Sequence, residues 1–232
     1  MSGLRTLLGP RHAGHTMPAD ELGALSLPVG DDGVVIGDDA EGHPQMVGFH
    51  RSAPYDVLLI GGLWTAQVIA LRAAGTGARV VVETGRAQAW TLLAQAAGAG
   101  LECITLHDVG RVPPQGATVG SPVVVVRDAG MRPPRGRVVS GPWQSVLTLL
   151  PYLSPVAPRL MRNSTLVGIQ RVSPREAEQI GRILGLSTAE SEALPTLADG
   201  VTLWCAGRER HWVMTSPTDA ESGLLGTARR MD

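Results

Sequence analysis

The chain has 232 residues, 44% hydrophobic and 18% charged, with a formal net charge of −1. This excludes a disordered chain and gives no electrostatic reason to expect nucleic acid as a partner. All 20 Lys-plus-Arg residues are Arg, so the chain lacks the Lys that a phosphate-binding loop, kinase-type phosphoryl transfer and Schiff-base chemistry each require, and the guanidinium fork cannot replace it by deprotonation.

Residues 1–24 are small and polar without periodicity and read as a flexible tail, leaving 25–232 as a single α/β domain. His12 and His15 in this tail offer half of a metal site, but no second pair follows. No apolar stretch marks a signal peptide or approaches the ~20 residues needed to span a bilayer. The expected location is the cytoplasm, with recruitment to the inner face of the membrane only through a partner.

Val34–Ile36 and Gln45–Phe49 are expected to pair as a hairpin across the acidic loop Asp38–Gly42. Asp38, Asp39 and Glu41 there suit either a solvated turn or a cation, and calcium-loop spacing is missing. Val57–Gly61, Arg79–Glu83, Leu101–Leu106 and Pro122–Arg127 read as apolar strands covered on both faces. Between them, Leu63–Gly75 and Ala87–Ala97 read as helices, the first with Trp64, Val68 and Leu71 on one face. Gly75, Gly77, Gly98 and Gly100 stand where helices end. This strand–helix alternation with short links predicts a Rossmann-like, mostly parallel central sheet.

Further along, "WQSVLTLL" reads as a strand, "LSPVAPRLMR" as a short helix or loop, and Leu166–Arg171 as another strand. Ser173-Pro174-Arg175-Glu176 is a capping box opening a helix that runs to Gly185, and Ser187 with Glu190 opens a second, ended by Pro195. "DGVTLWCAGRERHWVMT" predicts a C-terminal β-hairpin turning at Gly207–Arg210, and Ser216-Pro217 a final short helix. Cys103 and Cys205 sit in apolar runs and read as reduced buried thiols.

The segment "VLLIGGLWTAQVIALRAAGTGARVVVET" has the frame of a dinucleotide site: strand, glycines, helix, then an acid about 20 residues on. Gly61 fits the first glycine and Ala66 the third. Position 63, where the backbone must approach the pyrophosphate, is Leu, although Gly62 shifts the turn. Glu83 stands where an acid would hold a ribose. As a phosphate-binding loop the segment fails, since Ala66-Gln67-Val68 replaces Gly-Lys-Ser/Thr. "VVVVRDAG" resembles the second nucleotide motif, with Asp128 as the magnesium acid behind Arg127. The candidate cofactor-binding positions are therefore Gly61, Gly62, Trp64, Glu83 and Asp128. The competing account makes the glycines a tight strand-to-helix turn, with Trp64 plugging the crevice. His107-Asp108 at a strand edge offers a lone general base or an ordinary loop histidine. Arg171, Arg175 and Arg182 offer a basic strip interrupted by Glu176 and Glu178. No catalytic residue, metal ligand set or cofactor is assigned.

"GVVIGDDAEGHPQMVGFHRSAPYDVLLIGGLWTAQVIALRAAGTGARVVVETGRAQAW", together with "LVGIQRVSPREAEQIGRILGLS" and "LADGVTLWCAGRERHWVMTSPTDAESGLLG", resembles the cytosolic region of EccE-type components of actinobacterial type VII secretion systems. The resemblance spans residues 30 to 226. It implies a Rossmann-like or degenerate transferase-like fold, no established catalysis and a place in a membrane secretion assembly. Such proteins typically begin with transmembrane helices, which this chain lacks. "LPVGDD" at 27–32 resembles the lead of FtsK/EccC-type motor ATPases, and without Lys it implies a catalytically dead relative. The expectation is a non-enzymatic scaffold or assembly protein with secretion-machinery partners, no direct membrane insertion, and self-association left open. The alternative is a nucleotide- or nucleotide-sugar-dependent enzyme using the crevice after Val57–Gly61.

Overall fold

Tyr55–Ile60, "YDVLLI", shows why the apolar runs become central strands. Tyr55, Val57 and Leu59 enter one apolar layer, while Leu58 and Ile60 enter another on the opposite face. A strand buried on both faces needs an uninterrupted apolar run. In a computed structural model, which describes residues 33–98, 102–131 and 138–228, this strand is β3. His12, His15, the tail at 1–24 and "LPVGDD" at 27–32 lie outside the described residues, as does Gly100.

The elements run β1 (Val34–Asp38), β2 (Pro44–Val47), β3 (Tyr55–Ile60), α1 (Leu63–Gly75), β4 (Arg79–Thr84), α2 (Gln88–Ala96), β5 (Ile104–Asp108), β6 (Val123–Asp128) and β7 (Gln144–Leu150). They continue α3 (Ala157–Asn163), β8 (Leu166–Ile169), α4 (Pro174–Leu184), α5 (Thr188–Ala193), a 3₁₀ turn Leu194–Thr196, β9 (Val201–Ala206), β10 (Glu209–Met214) and α6 (Asp219–Leu225). One ten-stranded sheet has the order β2-β1-β10-β9-β8-β3-β7-β6-β4-β5. The block from β8 to β5 is parallel and the flank from β9 to β2 antiparallel. Both expected hairpins thus extend the central sheet.

α1 and α2 cover the face reached by Val57 and Leu59, while α3 and α4 cover that reached by Leu58 and Ile60. α1 has the predicted bounds, but its burial is broader than a stripe: Trp64 to Ala70 are all buried, whereas Leu71 is only partly so. The sheet lies on one side of α1 and α6 on another.

Several boundaries differ from expectation, among them β8, which ends at Ile169 and leaves Gln170 and Arg171 outside the strand. β3 begins at Tyr55 and ends at Ile60, so Gly61 belongs to the turn. β5 starts at Ile104 and continues through His107 and Asp108, because the parallel ladder pairs Glu83 with His107 and Thr84 with Asp108. The last helix is capped by Thr218, not Ser216: Thr218 accepts from Glu221 N, and the Glu221 carboxylate accepts from Thr218 N. The capping boxes at Ser173–Glu176 and Ser187–Glu190 form as predicted. In the acidic loop, Asp39 accepts from the amides of Glu41 and His43 and from the Gln45 side chain. Asp39, Glu41 and His43 place ligand atoms within 4.8 Å of one another, and Asp38 stands outside that group. Among the described residues no helix is long and apolar enough to cross a membrane. Both cysteines are free, and burial pushes the Cys205 thiol up to about 11.

Arg72, in the last turn of α1, ties three elements together. Its guanidinium donates twice to the Glu221 carboxylate, at 2.7 and 2.8 Å, and also to the carbonyls of Val35 and Ser216. Burial raises the Glu221 carboxyl, but the Arg72 bonds and the Thr218 amide outweigh it, leaving it below the ordinary range. A carboxyl depressed in the folded state stabilises above its unfolded pKa of about 4.3, and that contribution disappears as pH falls through the folded value. Glu221→Gln should therefore destabilise the protein at pH 7 and show a shrinking difference from wild type below pH ~4, read by urea denaturation across pH. An equal deficit at every pH would contradict this assignment.

Candidate functional site

Only Gly61 and Gly62 separate the end of β3 from the start of α1. A phosphate-binding loop needs four residues between its glycines before Gly-Lys, so the loop itself is missing, not merely its Lys. A helix starting here would still attract an anion, because its first amides lack intrahelical partners.

The chain supplies an acceptor for the first of these amides itself. Gly62, the N-cap residue, has no side chain to cap the helix. Its amide donates at 2.7 Å to Oε1 of Gln170, which directly follows β8. The Gln170 amide nitrogen donates to Thr65 Oγ1 at 2.7 Å and Thr202 Oγ1 at 3.2 Å, and its backbone N–H donates to the Ile60 carbonyl. Gln170 and both threonines are buried. A neutral amide oxygen thus sits at the start of α1, where a ligand oxyanion would otherwise accept.

Gly61 is required for the same reason. A Cβ there would lie 2.3 Å from Gln170 Oε1, whereas the Gly61 backbone is ordinary and its amide donates to the Leu150 carbonyl. This glycine makes room for Gln170. Trp64 is also buried, with its indole N–H donating to the Gly226 carbonyl at 3.0 Å. The remaining cavity, bordered by Trp64, Thr65 and Gln170, is about 10 Å³. That is the scale of one water, far smaller than a pyrophosphate.

The two candidate acids lie elsewhere. Glu83 on β4 and Asp128 on β6 stand two strands or more from β3, about 10 Å or more at ordinary strand spacing. They face opposite sides of the sheet. Glu83 is buried with Arg127, to which it is ion-paired, and also accepts from the Gly110 amide at 2.8 Å. Asp128 is 0% exposed on the α2 side. It accepts from Arg86 Nε and Nη2 at 2.8 and 2.9 Å, Trp90 Nε1 at 2.8 Å and the Gly130 amide at 3.1 Å. Gly61, Gly62 and Trp64 are therefore brought together, while Glu83 and Asp128 are held apart from them and from each other by separate partners. His107 lies beside Glu83 on the edge strand β5. Arg171 pairs with Asp199 at 3.0 Å, which takes it out of the expected basic strip.

Sequence reasoning missed Gln170, which meets Gly62 across 108 positions. Its only sequence signal is a polar residue ending an apolar strand.

No family model matches the sequence, and no curated protein matches it. Among solved structures, the chain is similar to VirB4 of Thermoanaerobacter pseudethanolicus, at 11% identity and a TM-score of 0.53, covering 83% of this chain and 98% of that one. The fold is Rossmann-like. A likeness at that identity speaks for the fold alone. The genome packaging NTPase B204 from Sulfolobus turreted icosahedral virus 2, in complex with ATPγS, is also similar, at 10% identity and a TM-score of 0.43 over 72% of this chain and 98% of that one.

Proposed function

We propose that this chain is a non-enzymatic scaffold or assembly protein of a secretion complex of the type VII kind, built as a single α/β domain of residues 25–232 on a degenerate nucleotide-binding fold. The observation that carries the reading is Gln170, which occupies the anion position at α1 with an acceptor from the chain itself. Supporting it are the two-residue β3–α1 turn, the absence of Lys and the commitment of Asp128 to Arg86 and Trp90. The fold likeness to VirB4 agrees with a degenerate nucleotide-binding fold, and the resemblance to EccE-type proteins is what motivates a secretion setting. On this reading the fold's surfaces engage protein partners in the cytoplasm, and its membrane association comes through them.

The test is affinity purification of the tagged full chain from its host in mild detergent, combined with deletion of its gene. The expected result is a stoichiometric complex with components of the secretion apparatus, and loss of secretion on deletion. A chain that purifies alone, and whose deletion leaves secretion intact, refutes the scaffold.

A further inference from the structure

The connections leaving β3 and its neighbour β7 depart to opposite faces of the sheet: β3 leads into α1 and β7 into α3. In open α/β sheets, ligands bind outside the carboxyl ends of strands at such a switch point. One lip of this crevice, after β3, is closed by Gln170. The other, after β7, opens into a groove of about 500 Å³ between α3 and α4, within the size range of small-molecule sites.

Helical spacing builds its walls. Pro158 and Arg162 stand one turn apart on α3, and Gln179, Arg182 and Ile183 share one side of α4. Ser154, in the segment after β7, completes the lining. Ser154 is only 4% exposed, and its hydroxyl has no hydrogen-bond partner. Buried polar side chains rarely go unpaired, and those that do call for a reason. Neither groove arginine is ion-paired among the described residues. Among the described residues Arg162 makes no hydrogen bond or ion pair, and Arg182 only donates Nε to the Glu178 carbonyl of its own helix, at 3.3 Å. The nearby acids are accounted for in different ways. Glu176 accepts from Leu153 N and caps α4 at Ser173. Glu178 borders the neighbouring groove between α4 and α5, and Arg182 stands on the ridge that lines both grooves.

We propose that this groove binds a small phosphate-bearing ligand. The phosphate lies between the Arg162 and Arg182 guanidinium groups and accepts from the Ser154 hydroxyl and the Gln179 amide. An apolar portion of the ligand rests against Pro158 and Ile183. Guanidinium forks match phosphate oxygens in pairs, and the site needs neither Lys nor a phosphate-binding loop. It is independent of the closed β3–α1 turn and of the scaffold reading.

The test is isothermal titration of the full chain with phenyl phosphate, with phenol and inorganic phosphate as partial probes. The expected result is saturable 1:1 binding of phenyl phosphate, weaker binding of inorganic phosphate and none of phenol. Arg162→Gln and Arg182→Gln, both at exposed positions, should each weaken phenyl phosphate about tenfold or more. Ser154→Ala should weaken it severalfold with no loss in melting temperature. A crystal soaked with phenyl phosphate should place its phosphorus beside Ser154. Absence of saturable binding up to about 10 mM, affinity unchanged in both Arg variants, or an ordered water alone on Ser154 would overturn the proposal. Gln170→Leu leaves the groove untouched, so its effect on the β3–α1 turn is read separately.

Discussion

Asp128→Ala will lower the stability of the protein by about 3–4 kcal/mol and its melting temperature by roughly 6–16 °C. The carboxylate is fully buried and accepts two bonds from Arg86 and one from Trp90. Truncation leaves the buried indole N–H of Trp90 without an acceptor. The Arg86 side chain, 31% exposed, can regain part of its hydration, which holds the loss below that of a fully enclosed pair. Asp128→Asn keeps the shape and one acceptor, so it should cost about half as much. Thermal denaturation of the two variants checks this. If Asp128 instead served a magnesium ion, Asp128→Asn would leave stability near wild type and abolish metal-dependent nucleotide binding.

Gln170→Leu is expected to cost about 2–4 kcal/mol, because it removes both ends of a buried polar bridge. The Gly62 amide loses its acceptor, and Thr65 and Thr202 lose a common donor. Gln170→Glu should cost less than half of that at neutral pH. The carboxylate still accepts from Gly62, the threonine hydroxyls can rotate to donate, and a negative charge suits a helix N-terminus. Urea denaturation of wild type and both variants gives the comparison. Equal losses would mean that Gln170 merely fills volume. A Gln170→Leu protein as stable as wild type would remove it from any role in closing the turn.

The reach of the sequence differs between local and distant structure. α1 was legible to the residue because strand, glycine pair and helix follow one another within twenty positions, each signal acting on its neighbours. The capping boxes at Ser173 and Ser187 were legible for the same reason: both partners sit three residues apart. The final helix start was misplaced by choosing Ser216-Pro217 over Thr218, whose partner Glu221 is also held by Arg72. The strand character of His107 and Asp108 depends on the β4 ladder and not on their own propensity. At the site, the missing glycine at Leu63 and the missing Lys were visible, and the burial of Trp64 agrees with the account that makes it a plug. Gln170 was not, because nothing local announces that the residue after β8 will meet the turn after β3.

A turn closed by Gln170 and Trp64 makes a direct prediction about ligands. Isothermal titration of the purified wild-type chain with magnesium ATP, and separately with NAD, should give no saturable heat up to about 1 mM. A stoichiometric isotherm with a dissociation constant in the micromolar range would contradict the closed site and return the β3–α1 turn to the nucleotide-binding proteins whose frame it keeps.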